Sequence, residues 1–257
     1  MDSSFFPLQL VCLYWDAFTL NVYLRKKRGL CSVSSTNIAI KVSNASFSIN
    51  RQEIFSDVFL IVPYGKIIGI IGRNGSGKTM LLRSIIGFAK ICAGSVQVGE
   101  QVIGEKCEFA KDIGFIIDGQ GFLPQYSGFY NLKLLASLKK TITDSDIIYA
   151  LSQVGLDPAD KKKYHKYSKG MKQRLAIANA LISKPSILIL DEPMNGLDQD
   201  CVIKMYALLK KLAADGCAIL ITSHYFEDIT NLCDNYYQMR NGRLKPCYFN
   251  DTSFVAK

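Results

Sequence analysis

Cysteine pairs at metal-ligand spacing are missing from this sequence. Its eight cysteines (Cys12, Cys31, Cys92, Cys107, Cys201, Cys217, Cys233 and Cys247) are scattered, with no CxxC pair and no Cys/His cluster, so neither a zinc module nor a disulfide framework is indicated. The pattern fits unpaired thiols in a reducing cytosol, packed mostly as small apolar side chains. Internal repeats are absent as well. Charged residues make up 21% and hydrophobic residues 49%, which excludes a disordered chain and a multi-pass membrane protein. Acidic residues are the minority charge, 22 against 31 Lys and Arg, for a formal net charge of +9. That balance favours polyanionic partners, whether nucleotide, nucleic acid or anionic lipid, without choosing among them. The length of 257 residues suits one large α/β domain, or one domain with a small insertion.

Residues 5–24 (FFPLQLVCLYWDAFTLNVYL) are strongly apolar and run into Arg25-Lys26-Lys27-Arg28. Charge after the apolar stretch, with no small-residue cleavage site, argues against a signal peptide. A span is allowed by length, but Asp16 near its middle costs about 2.5–3.5 kcal/mol, and Pro7, Gln9 and Asn21 weaken it further. Val11, Trp15, Phe18 and Val22 recur at helical spacing. That suits an amphipathic helix lying on the domain, on a membrane partner or on the bilayer surface; a span and a poorly ordered tail are the alternatives. The basic run reads as a solvated linker or a contact to lipid headgroups.

Beyond a polar linker at Ser32 to Asn37, the pattern becomes that of an α/β domain. Ile38 to Ile49 and Ile54 to Val62 read as early strands, Lys66 to Ile71 as a short buried strand, and Ser95 to Ile103 as a strand pair. Leu81, Leu82, Ile85 and Ile86 form a helical stripe stopped by Gly87. Residues 120–183 carry helix signals and form a candidate subdomain. Ile187 to Leu190 and Ala218 to Thr222 are continuous apolar runs of central parallel strands. Between them Val202, Met205, Leu209 and Leu212 mark a helix ending at Gly216. Strand, helix, strand in this order predicts a parallel core with right-handed crossovers.

Gly72-Arg73-Asn74-Gly75-Ser76-Gly77-Lys78-Thr79 matches G-x-x-x-x-G-K-[ST] between a strand and a helix, where that motif has to lie to cradle phosphates. Glycines let the backbone turn its N–H groups around the anion. Lys78 then reaches the β- and γ-phosphates, and the Thr79 hydroxyl ligates Mg²⁺. The apolar strand Ile187 to Leu190 ends in Asp191-Glu192-Pro193. Alone that is a turn before a helix; beside a phosphate loop it becomes a metal-supporting carboxylate (Asp191) followed by a general base (Glu192).

Tyr167-Ser168-Lys169-Gly170-Met171-Lys172-Gln173-Arg174, opening an apolar helix just before that strand, resembles the signature motif of ATP-binding cassettes. Asn195-Gly196-Leu197-Asp198 resembles the loop that crosses the cassette dimer. Ser223-His224 resembles the switch histidine, and Asn241-Gly242-Arg243 the short turn that closes the core. The likeness covers about Ile38 to Leu244. It implies a phosphate-loop NTPase core with an antiparallel β subdomain and a helical subdomain, in a cassette domain spanning residues 38–257 after an extension of residues 1–37. It also implies that Ser168 and Gly170, at a helix N-terminus suited to a γ-phosphate, complete the site of a second copy, and that His224 contacts the γ-phosphate and attacking water. His165 is read as an exposed loop residue.

Three positions depart from the common signature: Tyr167, Lys169 and Met171. With Lys172-Gln173-Arg174 after them they resemble the bacitracin- and lantibiotic-type drug-export branch. The loop that carries a metal-side Gln in the family has Asp118 at the matching place, with Gln120 two residues on. For the aromatic ring that stacks on adenine, alignment gives Ile49, with Phe47 as the substitute; strand core is the plain alternative for Phe47. Lys161, Lys162, Lys163, Lys166, Lys169 and Lys172 read mainly as a solvated face.

The implied function is ATP hydrolysis coupled to export. Two copies would close over two Mg-ATP, acting on a separate permease from the cytoplasmic face of the membrane, with no nucleic acid expected. The rival is a non-transport soluble cassette ATPase with a regulatory or nucleic-acid-associated role. Such relatives usually carry two cassettes or coiled-coil arms, which this chain lacks. A small-molecule kinase would need neither the signature nor the dimer loop.

Overall fold

A computed structural model of the chain describes residues 37–104, 107–117, 121–138, 141–247 and 249. The readings of residues 5–24, of Arg25 to Arg28, and of Asp118 and Gln120 lie outside the described residues.

Two sheets of different construction organise the domain. β1 (Ile38–Ile49) and β2 (Gln52–Pro63) form an antiparallel hairpin closed at Asn50 and Arg51, both left-handed (φ 50 and 67). Such a turn matches the right-handed strand twist. β4 (Ala93–Val98) pairs with the other side of β1, and β5 (Gln101–Ile103) pairs in turn with β4, in the order β2-β1-β4-β5. Ile40 and Val42 face inward, and so do Ala45 and Phe47, although the two pairs differ in parity. The register slip between Val42 and Ala45, with Asn44 at φ 49, resets the alternation; it is a bulge that returns the strand's apolar face to the core.

The second sheet contains β3 (Ile67–Ile71), β6 (Ile113–Ile116), β7 (Ile187–Leu190), β8 (Ala218–Ser223), β9 (Asn235–Arg240) and β10 (Arg243–Cys247), ordered β10-β9-β3-β8-β7-β6. All neighbours are parallel except the β9/β10 edge hairpin. The helices are α1 (Lys78–Ile86), α2 (Gly128–Ala136), α3 (Asp144–Gln153), α4 (Lys169–Leu181), α5 (Gln199–Ala214) and α6 (Phe226–Leu232). The central strands are covered on both faces, which is why they read as unbroken apolar runs. Ile68, Ile70, Ile189 and Leu220 pack with the antiparallel sheet and α1, through Leu60, Leu81 and Ile85. The alternate residues Ile67, Leu188, Leu190 and Ile219 pack with the other helices, through Leu132, Leu151, Leu175 and Met205. Each such side chain contributes about 1.5–3 kcal/mol by leaving water.

The predicted α/β architecture with an antiparallel β subdomain is therefore present, and residues 120–183 supply α2, α3 and α4. α3 starts with a full capping box between Thr143 and Asp146. A hydrogen bond from Lys184, 2.7 Å away, is the main cause holding the Asp146 carboxyl well below the usual carboxylate range. α4 lies close on β6, for a Cβ on Gly114 would come within 2.0 Å of the Ala180 carbonyl oxygen. Only a glycine lets the helix and strand approach so nearly.

Candidate nucleotide-binding site

Parallel strands end on one edge, and in this sheet β8 lies between β3 and β7. Ile71 pairs with Ser223, and Leu190 with Ile221. The Gly72 to Thr79 loop, the Asp191-Glu192 turn and His224 are thereby gathered at the carboxyl end of the sheet, where open α/β folds bind ligands.

β3 passes through the loop into α1. Gly77 caps the helix in the left-handed region (φ 106), and no side chain caps its first turn. Those N–H groups have no intrahelical acceptor, an arrangement that favours an anion. Ser76 Oγ is buried with no hydrogen-bond partner among the described residues, so a buried hydroxyl in the loop still has capacity for a ligand. Asn74 to Thr79 line one wall of a cavity of about 670 Å³; Asp191, Glu192 and Asn195 line another.

Lys78 is 5% exposed. Its Nζ donates to the carbonyls of Gly72 (2.7 Å) and Arg73 (3.3 Å) and stands 3.4 Å from Glu192 Oε1. The other carboxylate oxygen, Oε2, accepts from Asn195 Nδ2 at 2.5 Å and from His224 Nδ1 at 2.9 Å. A carboxylate only accepts, so this last bond places a proton on Nδ1. Thr79 Oγ1 donates to Asp191 Oδ2 at 2.6 Å, bringing hydroxyl and carboxylate oxygens side by side.

Glu192 itself sits at φ 44, a region that costs a non-glycine residue about 1–3 kcal/mol unless its surroundings hold it there. Three contacts hold it. Its N–H donates to Thr222 Oγ1 (3.0 Å), and its carbonyl accepts from Asn195 N (3.1 Å) and Gln173 Nε2 (3.4 Å). Gln173 also donates to the Pro193 carbonyl at 3.0 Å. The α4 helix thus braces the turn that carries the candidate base.

Thr222 connects the two acidic residues, since its hydroxyl donates to Asp191 Oδ1 while accepting the Glu192 N–H. In the sequence it is the last residue of an apolar run, and the only signal of this role is a hydroxyl in an otherwise aliphatic strand. Thr222→Val keeps the shape but removes both the acceptor of the partly buried Glu192 N–H and the donor to Asp191, a cost of about 1–3 kcal/mol. Chemical denaturation should show a loss of that size, and unchanged stability would mean that the turn does not depend on the hydroxyl.

The sequence-predicted residues divide into those that meet and those that do not. Lys78, Thr79, Asp191, Glu192 and His224 form one connected network with the loop from Gly72. Ser168 caps α4, its Oγ accepting from Met171 N at 3.2 Å. Gly170 lies against the Gly196 carbonyl oxygen, 3.0 Å from where its Cβ would be. Ser168 and Gly170 are not part of the cavity wall, although Lys169, Lys172 and Gln173 are. Phe47 requires correction. It is 8% exposed, stacked on Phe55 at 5.7 Å between ring centroids and absent from the cavity wall. The bulge that restores inward alternation in β1 buries this ring in the core, so it cannot present a face to a base. Ile49, 43% exposed at the hairpin end, and Ile54, in the cavity wall, remain the apolar candidates.

Residues 55–195 match the family model for ABC transporters. A Bacillus subtilis (strain 168) protein, the uncharacterized ABC transporter ATP-binding protein YybJ, is 41% identical over 206 residues, covering 80% of this chain and 94% of that one. The chain belongs to the ABC transporter ATP-binding family. The Enterococcus faecalis bacitracin transport ATP-binding protein BcrA is 35% identical, with 80% of this chain and 67% of the relative covered. The Streptococcus pyogenes lantibiotic transport ATP-binding protein SrtF is 32% identical, with 76% and 84% covered. Among solved structures, an ATP-binding subunit of an ABC transporter superposes with a TM-score of 0.74 at 23% identity, covering 83% of this chain and 91% of that chain. The dimeric bacterial ABC transporter cassette MJ0796 gives 0.71 at 23% identity, with 80% and 96% covered. The cassette is accordingly an ATP-binding, ATP-hydrolysing transport subunit. No helix among its described residues is long and apolar enough to cross a membrane.

Proposed function

We propose that the cassette works in pairs, closing over two Mg-ATP and using that closure to drive export through a separate permease at the cytoplasmic face of the membrane. The observation that carries this reading is the single network joining the buried Lys78 to the partly exposed Glu192 and His224 beside the glycine loop, while Ser168 and Gly170 lie off the wall of their own chain's cavity. A signature helix tip outside its own site is suited to serve another copy's.

Within each site Lys78 and the loop N–H groups hold the phosphates. His224 hydrogen-bonds Glu192, and Glu192 takes the proton from the attacking water. The residues present fit Mg²⁺: the Thr79 hydroxyl and the Asp191 carboxylate are hard oxygen donors 2.6 Å apart. No group of three or more His, Cys, Asp or Glu suited to a metal occurs among the described residues. That matches an ion which keeps several waters and leans on substrate phosphates rather than on a protein cage. Bound there, Mg²⁺ would neutralise phosphate charge.

The bacitracin and lantibiotic relatives support peptide-antibiotic export as the transport class. The test is to purify the tagged full chain from its host's membranes and measure its mass with and without Mg-ATP. Recovery with a multi-spanning protein, and doubling of the cassette's mass with nucleotide, is the expected result. Recovery with ribosomes or DNA and no membrane partner would overturn it in favour of a non-transport cassette.

A further inference from the structure

His224 is the middle residue of a tight turn whose two ends are tied together. The Tyr225 N–H donates to Ser223 Oγ at 3.0 Å, so one hydroxyl spans the backbone that carries the imidazole. The main chain of Ser223 is also fixed, since its carbonyl accepts from Gly72 N at 3.4 Å, where the phosphate loop begins. The hydroxyl has a single proton, and it goes to Asp228 Oδ2 at 2.5 Å. Asp228 lies in α6, 9% exposed, and its second oxygen accepts from Tyr206 Oη at 2.6 Å. Two hydroxyl donors therefore satisfy a buried carboxylate that would otherwise be costly. Burial and the Asp228 hydrogen bond both push the Tyr206 phenol up, which keeps it protonated as a donor.

We propose that Asp228 and Tyr206 are positioning residues for His224. Neither appears in the wall of the nucleotide cavity, so their effect on ATP hydrolysis passes through the turn they hold. Tyr206 belongs to α5, the helix that opens at Asp198 directly after Asn195-Gly196-Leu197. Asn195 reaches Glu192 from that loop. The loop-and-helix unit therefore touches the base at one end and, through Asp228 and Ser223, places the histidine bonded to that base at the other. A shift of α5 would move both partners of the 2.9 Å His224–Glu192 contact.

The inference rests on the proposed role of His224, and the experiment separates the two. In the full chain, Tyr206→Phe should lower kcat for ATP about 10-fold and Asp228→Asn about 100-fold, within the range a misplacement of about 1 Å produces. KM should stay within about 2-fold, because no contact to substrate is lost. In a His224→Ala background Tyr206→Phe should have almost no further effect, since a residue that acts only through another cannot be additive with its loss. Additive losses would overturn the proposal and leave Tyr206 as a general support of the fold. A readout independent of turnover comes from the two histidines of the chain. Tyr206→Phe should move the His224 imidazole resonance and leave that of His165 in place. An unmoved His224 signal also overturns the proposal. If His224→Ala alone leaves turnover intact, the reading of His224 as part of the catalytic site fails instead, and the resonance shift still decides whether Tyr206 positions it.

Discussion

Glu192→Gln is expected to lower single-turnover ATP hydrolysis by about 10²–10⁴-fold, the usual contribution of a positioned general base, while ATP binding survives. The substitution preserves shape but not polarity. Oε1 faces Lys78 at 3.4 Å, and Oε2 accepts from Asn195 and His224, so every neighbour of this carboxylate is a donor. An amide presents one oxygen and one NH₂, and whichever way it turns a donor meets a donor. The favoured orientation keeps the oxygen towards Asn195 and His224 and points the NH₂ at Lys78, weakening one charged contact and removing the base. Because ATP still binds and is not consumed, the nucleotide-held pair should persist on sizing columns where the parent chain returns to single copies. Near-normal hydrolysis in the variant would show that another group takes the proton.

How far this site can be read from the sequence depends on how local its parts are. Lys78 and Thr79 are named by a contiguous motif, and a strand before it and a helix after it leave the loop one place to go. Asp191 and Glu192 are legible because a four-residue apolar strand ends on them. Their use of Thr222, however, depends on β8 lying between β3 and β7, an order that no local pattern encodes. Gln173 stands in the sequence only as part of the signature, yet it donates to the Glu192 and Pro193 carbonyls across 19 and 20 residues of chain. Tyr206 and Asp228 are ordinary helix residues until the packing of α5 against α6 puts a phenol on a carboxylate. Phe47 fails for the opposite reason. Period two predicts the face of a strand residue only while the strand is regular, and the slip at Asn44 decides which residues of β1 turn inward.

Lys78→Met should have the second large effect, on binding as well as chemistry. The ammonium now makes two bonds to loop carbonyls and one charged contact to Glu192, so it helps to shape the loop it serves and partly offsets the negative charge of the base. Methionine retains the length and the apolar stem. What it removes is a charge-assisted donor worth about 1.5–3 kcal/mol, which corresponds to roughly a 10- to 150-fold loss of ATP affinity at 1.4 kcal/mol per decade. The loss should be graded by ligand. Lys78 reaches the outer phosphates in a loop of this kind, so ATP and ADP should both weaken while AMP changes little. Calorimetric titration of the three nucleotides into the variant checks this. An equal loss for all three would mean that the substitution collapsed the loop as a whole. Unchanged ATP affinity would mean that the glycine turn and the first turn of α1 hold the phosphates without the lysine.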